Sequence, residues 1–187
     1  MFEFLAPPVI YVVLHIFGAI LGAGSAYVSD SMFFLSVKDS RFTKKEIEFL
    51  RLGSKLVWVG VAILVVSGAL LFFQDVEGYL ASGKFLAKMT IVGIVIVNGL
   101  VFHFTHMPVI ERHVGKKLSE SKEFLKKAGG IVASGALSMI SWTATVVLGV
   151  VPFVPWDYWT IMALYLAVVA FGIGSGLALK RRILFGG

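Results

Sequence analysis

Five long apolar runs, separated by short polar stretches, dominate the chain: residues 8–28, 56–73, 85–104, 131–151 and 158–179. Each is close to the roughly 20 residues that a helix needs to cross a bilayer. A strand with free edges would leave its backbone amides unsatisfied in lipid, so each run is predicted to be an α-helix. The expected fold is an all-α integral membrane bundle of five transmembrane helices, a single domain over residues 1–187. Pro7 and Pro8 suit the first turn of the first helix, where a missing N–H costs nothing. Thr43–Lys44–Lys45–Glu46 has the spacing of a capping box, so the second helix should begin near Thr43, ahead of its apolar run.

Small and polar positions inside the runs indicate how the helices meet. His15, Gly18, Ala19, Gly22, Ala26 and Ser29 recur at steps of three and four, which puts them on one face of the first helix. Gly18–Gly22 and Gly172–Gly176 are GxxxG pairs, and Ser134, Ser138, Ser141 and Thr145 line up on the fourth helix. Such faces let backbones approach closely and let hydroxyls bond across helices. The GxxxG faces would also serve a second copy of the chain or a partner in a membrane complex.

Composition agrees with a membrane protein. Residues are 58% hydrophobic and 15% charged, against about 45–50% and 25% in soluble domains. The basic residues gather in the first loop (Lys38, Arg41, Lys44, Lys45, Arg51, Lys55), the third loop (Arg112, Lys116, Lys117, Lys122, Lys126, Lys127) and the tail (Lys180, Arg181, Arg182). The other loops and the N-terminus carry Lys84 beside Glu3, Asp75, Glu77 and Asp157. By the positive-inside rule the N-terminus lies outside and the C-terminus in the cytoplasm, as in a multi-pass protein of the cell membrane. The net charge of +6 is thus a topology signal, with the bilayer as partner and no nucleic acid. The opening MFEFLAPP has an acid and no basic segment, so the first run should be a retained helix and not a cleaved signal. The lack of cysteine excludes disulfide exchange, thiolate catalysis, iron–sulfur clusters and covalently attached haem. Asn98 and Gln74 are the only amides, and scarce amides and cysteines fit a thermophilic source.

The polar residues within the spans are the candidates for chemistry, because each is costly in lipid. Counted at about 1.5 Å per residue, His15 lies roughly 10 Å into the first helix, and Lys88 and Met89 about 6–8 Å into the third, with Met162 at a similar level. Asp30 comes out at roughly 33 Å and His103 and His106 at about 28–33 Å. The count yields an outer layer of His15, Lys88, Met89 and Met162, and an inner one of Asp30, His103, His106, Glu111 and His113. A single haem between His15 and His103 is excluded by their difference in depth. His15 with Met89 or Met162 is an axial pair of a known type for b-haem, while an interhelical hydrogen bond is the structural alternative for His15 and core filling that for each methionine. Lys88 either snorkels to the headgroups or holds a carboxylate, such as a haem propionate or the head of a quinone-like or porphyrin substrate.

His103 and His106, three residues apart, read with Glu111, His113 and Asp30 as a possible metal site, H-x2-H…E-x-H. The same residues would serve a metal-ion or proton channel. Carboxylates fall outside the middle of every span on this count, which argues against an ion-coupled carrier. No phosphate loop, G-x-S-x-G or H-E-x-x-H is present, and no residue is assigned a catalytic role.

Leu14–His15 before glycine-rich sequence, the charged first loop, Ser67–Gly68, and Phe85–Leu86–Ala87–Lys88–Met89 follow one another over residues 10–150. In this order the chain resembles a group of small multi-pass bacterial proteins that includes the HemJ-type protoporphyrinogen oxidases and the CopD-like copper-resistance membrane domains. The HemJ type binds b-haem and oxidises a porphyrinogen. The resemblance implies a haem-ligand role for His15 and a carboxylate-binding one for Lys88. Where the HemJ type has a histidine about three turns after the lysine, this chain has Asn98–Gly99, and it adds a fifth helix. The favoured expectation is a haem-, quinone- or porphyrin-linked membrane redox protein; transport, or a non-catalytic subunit of a membrane complex, is the alternative.

Overall fold

Residues 7–38 and 41–185 are described in the computed structural model, with the backbone alone at Lys38, Ser119 and residues 181–185. Glu3 and the side chains of Lys38, Arg181 and Arg182, which entered the orientation argument, lie outside the described set. The helices are α1 (Pro7–Lys38), α2 (Lys44–Phe72), α3 (Val76–Ala81), α4 (Gly83–Val101), α5 (Met107–Arg112), α6 (Lys122–Val150) and α7 (Tyr158–Phe185). A π-turn at Phe102–His106 joins α4 to α5, so Gly83–Arg112 forms one span. Five helices are therefore long and apolar enough to cross a membrane. Their outer faces are covered with exposed side chains such as Ile20, Val66, Val97 and Phe171, which suits lipid and not water.

α1 and α2 form the tightest pair. A Cβ placed on Gly60 would lie 2.5 Å from the Gly22 nitrogen and 2.9 Å from the Gly18 oxygen, so the two backbones touch. A Cβ on Gly53 would run into Ser29, and one on Gly68 would meet the His15 ring at 3.3 Å. The second GxxxG pair is filled by side chains, since Cβ atoms at Gly172 and Gly176 would run into those of Ile140 and Val132 of α6. Both GxxxG faces are thus occupied from within the chain. Neither is the open face expected for a second copy or a complex partner.

The loops close the two ends of the bundle differently. At the end carrying the basic loops, Thr43 caps α2 with the full capping box: Glu46 N donates to its hydroxyl at 3.2 Å and Thr43 N to the Glu46 carboxylate at 2.6 Å. Phe42 just before it is fully buried, stacked on Phe33 and bridged to Val114, and Gly115 N donates to its carbonyl at 2.8 Å. Gly115 takes a φ of +75°, which is why a residue without Cβ turns the chain there. At the opposite end, called the turn end below, Phe72 stacks on Phe85. There Lys84 Nζ donates to the Val151 and Pro152 carbonyls at 2.8 and 3.1 Å, satisfying the last turn of α6.

Two predictions follow from this packing. Gly60→Ala should cost about 1–3 kcal/mol by forcing α1 and α2 apart, read as a lowered unfolding midpoint in detergent. Gly24→Ala, where nothing lies within 4 Å, should leave the midpoint nearly unchanged, and equal effects would refute the crossing. Asp157 opens α7 by accepting from Thr160 N at 2.9 Å. Hydrogen bonds from the Thr160 side chain and backbone hold its carboxyl below the ordinary value. A folded-state value below the unfolded one means that the cap contributes above the unfolded value and is lost as pH falls through the folded one. The Thr160 amide resonance should therefore move on acidification below about pH 4 in the wild type and stay still in Asp157→Asn.

Candidate functional site

His15 is half-buried in the α1–α2 seam, on the level of Ser67 and Gly68. The Ser67 hydroxyl is 1% exposed and donates to the Ile63 carbonyl at 2.6 Å, as serines in helices do toward the residue four back. Its proton is spent, so at 3.0 Å from His15 Nδ1 it acts as the acceptor. The imidazole is thereby fixed with its proton on Nδ1 and a lone pair on Nε2. Lys88 is close enough to act on His15 electrostatically. Its Nζ lies against α6, where a Cβ on Gly149 would be 3.4 Å away. His15 and Lys88 thus lie within electrostatic range of each other, His15 in the α1–α2 seam and Lys88 against α6. It separates the two methionines: Met89 faces outward at 40% exposure, while Met162 is packed among Ala87, Ile91 and Leu148 in the core between α4, α6 and α7.

The five residues expected to bind a metal are dispersed. His113 uses both ring nitrogens, donating from Nδ1 to the Val109 carbonyl at 2.7 Å and accepting at Nε2 from Ser121 at 2.6 Å. Glu111 pairs with Arg51 at 2.7 Å. The π-turn explains the other two histidines. Pro108 has no N–H to give Phe104, and its ring would press on that carbonyl in a regular helix. The backbone widens instead, with Met107 N bonding to Phe102 O. A wider turn rotates less per residue than an α-turn, so residues three apart fall further short of a full circle and end on more widely separated faces. His103 is left on the exposed side against the edge of Phe104, and His106 turns inward toward Gly130. Among the described residues no three His, Asp or Glu side chains come close enough to hold a metal ion.

The count along α1 does not fix the level of Asp30. α1 has 32 residues, or about 48 Å, longer than the ~30 Å of hydrocarbon, so its first residue does not mark the membrane edge. The neighbours of Asp30 are better rulers. Gly53, Asn98 and Ser138 lie roughly 18–28 Å from the turn ends of α2, α4 and α6. The Asp30 carboxylate thus faces the interior of the bundle, among side chains of α2, α4 and α6. It lines a cavity of about 70 Å³ with Ser29, Ser54, Asn98, Ser138 and Trp58. Ser138 is a donor within its reach, yet Asp30 Oδ2 and Ser29 Oγ are buried without a hydrogen-bond partner among the described residues. An ionisable side chain at such depth costs on the order of 3 kcal/mol. Ser54 had no part in the sequence argument. The available signal was that Asp30 lies four residues beyond Ala26, on the face that runs through Gly22.

Compared with family models, with curated proteins and with solved structures, the chain matches none.

Asn98 closes the cavity by a reciprocal pair, Nδ2 to the Ser134 carbonyl at 3.0 Å and Ser134 Oγ to Oδ1 at 2.8 Å. Asn98→Ala should cost about 1 kcal/mol in reversible unfolding, and Ser134→Ala less, because the carbonyl bond survives. A larger loss in Ser134→Ala would contradict the assignment.

Proposed function

We propose that this protein is a membrane redox protein that holds a b-type haem, or a porphyrin or quinone of similar build, at His15 and Lys88. The observation that carries this reading is the Ser67–His15 pair. It spends the Nδ1 proton and leaves Nε2 as a free donor atom, which is what an axial ligand requires. The donor set also suits the group: a hydrogen bond at the far nitrogen raises ligand basicity and fixes the ring, and the bare Cα of Gly68 gives the ring room. Lys88 supplies a cation for a propionate or another anionic head. When bound, such a group would supply one-electron transfer. The order of Leu14–His15, Ser67–Gly68 and Phe85–Met89, which resembles that of the HemJ-type proteins, supports the same assignment. The basic loops support an orientation with this site toward the outer face of a cell membrane.

An absorption spectrum of the detergent-purified protein, supplied with haem and then reduced with dithionite, tests the proposal. The expected result is a Soret band that shifts on reduction and disappears in His15→Ala. Ser67→Ala should keep the band with affinity weakened about 10–100-fold. A protein that stays colourless with haem supplied would rule the reading out.

A further inference from the structure

Asp30 is the one charged residue lining its cavity. α2 contributes Ser54, α4 Asn98, and α6 Ser134 and Ser138, and none of these elements turns a charged or titratable side chain toward it. Among the described residues no second charged side chain lines the cavity, and the Asp30 Oδ2 atom is buried. Its Oδ2 and the neighbouring Ser29 Oγ both point into the bundle without a partner among the described residues. Buried polar atoms are ordinarily satisfied, so an unsatisfied carboxylate oxygen and an unsatisfied hydroxyl in the lining of one cavity call for a species within it, and the carboxylate favours a positive one.

The cavity limits what that species is. Its volume of about 70 Å³ is several times the ~10–15 Å³ that one water needs, and far below the space for an organic ligand. Its side-chain acceptors are all oxygens, on Asp30, Asn98 and the serines. The Asn98 amide nitrogen is already bonded to Ser134, and the Trp58 and Trp142 indoles carry an N–H donor with no acceptor nitrogen. Oxygen-only donors suit hard cations and not soft transition metals. A single carboxylate among hydroxyls is too little charge for calcium, which gathers several, or for magnesium, which demands a strict octahedron. Membrane transporters place monovalent cations at such depths between helices.

We infer that the cavity around Asp30, Ser29 and Ser138 is an intramembrane binding site for one small monovalent cation, a sodium ion or a proton. This site is separate from the His15–Lys88 pair and does not depend on the redox reading.

The test uses the full chain in lipid nanodiscs, without haem. Thermal unfolding is followed in NaCl, KCl and choline chloride at equal ionic strength, and the carboxyl stretch is followed by infrared difference spectroscopy across pH. A sodium site gives a midpoint raised by about 2–4 °C in NaCl over choline, lost in Asp30→Asn and weakened in Ser138→Ala. A proton site gives no discrimination among the salts, but a protonated-carboxyl band that titrates and is missing from Asp30→Asn. Should the wild type show neither response, or Asp30→Asn keep either of them, the inference fails. If Asp30→Asn does not fold, Ser138→Ala decides: it must weaken the sodium response or shift the titration of the carboxyl band, and a variant identical to the wild type in both overturns the inference.

Discussion

The contact on which the rest depends is the crossing of α1 and α2 at Gly22 and Gly60, where two backbones meet without side chains between them. Hydrophobic exclusion does nothing for helices already in lipid, so close van der Waals approach has to hold them. The approach is repeated along the seam. His15 meets Ser67, Gly22 meets Gly60 and Ser29 meets Gly53, at intervals of seven residues on both helices. Seven is the repeat of a shallow left-handed crossing. The polar rungs at either side of the glycine rung are the two places where the proposed sites lie.

α4 and α6 complete both sites from the other side. Lys88, against Gly149, stands within electrostatic range of the His15 rung, and Asn98, Ser134 and Ser138 share a cavity with Ser29. The basic-end loops are more than connections. Phe42, locked between Phe33, Phe124 and Val114, ties the α1–α2 turn to the segment after α5. The helices are thus pinned to one another at that end, and the aromatic stack and Lys84 do the same at the other.

Much of this was legible in the sequence. Hydropathy placed the five spans, the small-residue stripe placed the buried face of α1, and Thr43–Glu46 placed the start of α2. What was not legible has identifiable causes. Span length alone does not say where a helix enters the membrane, so counting from Pro8 did not show that Asp30 faces a cavity inside the bundle. A GxxxG pair does not say what it receives, and here one receives the α2 backbone and the other the side chains of α6, all from the same chain. The spacing of His103 and His106 assumed an α-turn, whereas Pro108 imposes a wider one whose effect on the two rings could not be read from the residues. Serine, too, is silent until its proton is traced: only the bond to Ile63 tells which nitrogen of His15 is free.

The seven-residue ladder restricts how this chain can change in length. One residue added between His15 and Ser29 would turn everything beyond it by about 100° and take either the histidine or the aspartate off the α2 seam. Compensation would need a matching change in α2, between Gly53 and Ser67. The two sites are therefore fixed in spacing by the seam that joins them, and insertions in this part of the protein are confined to whole repeats or to the loops outside it.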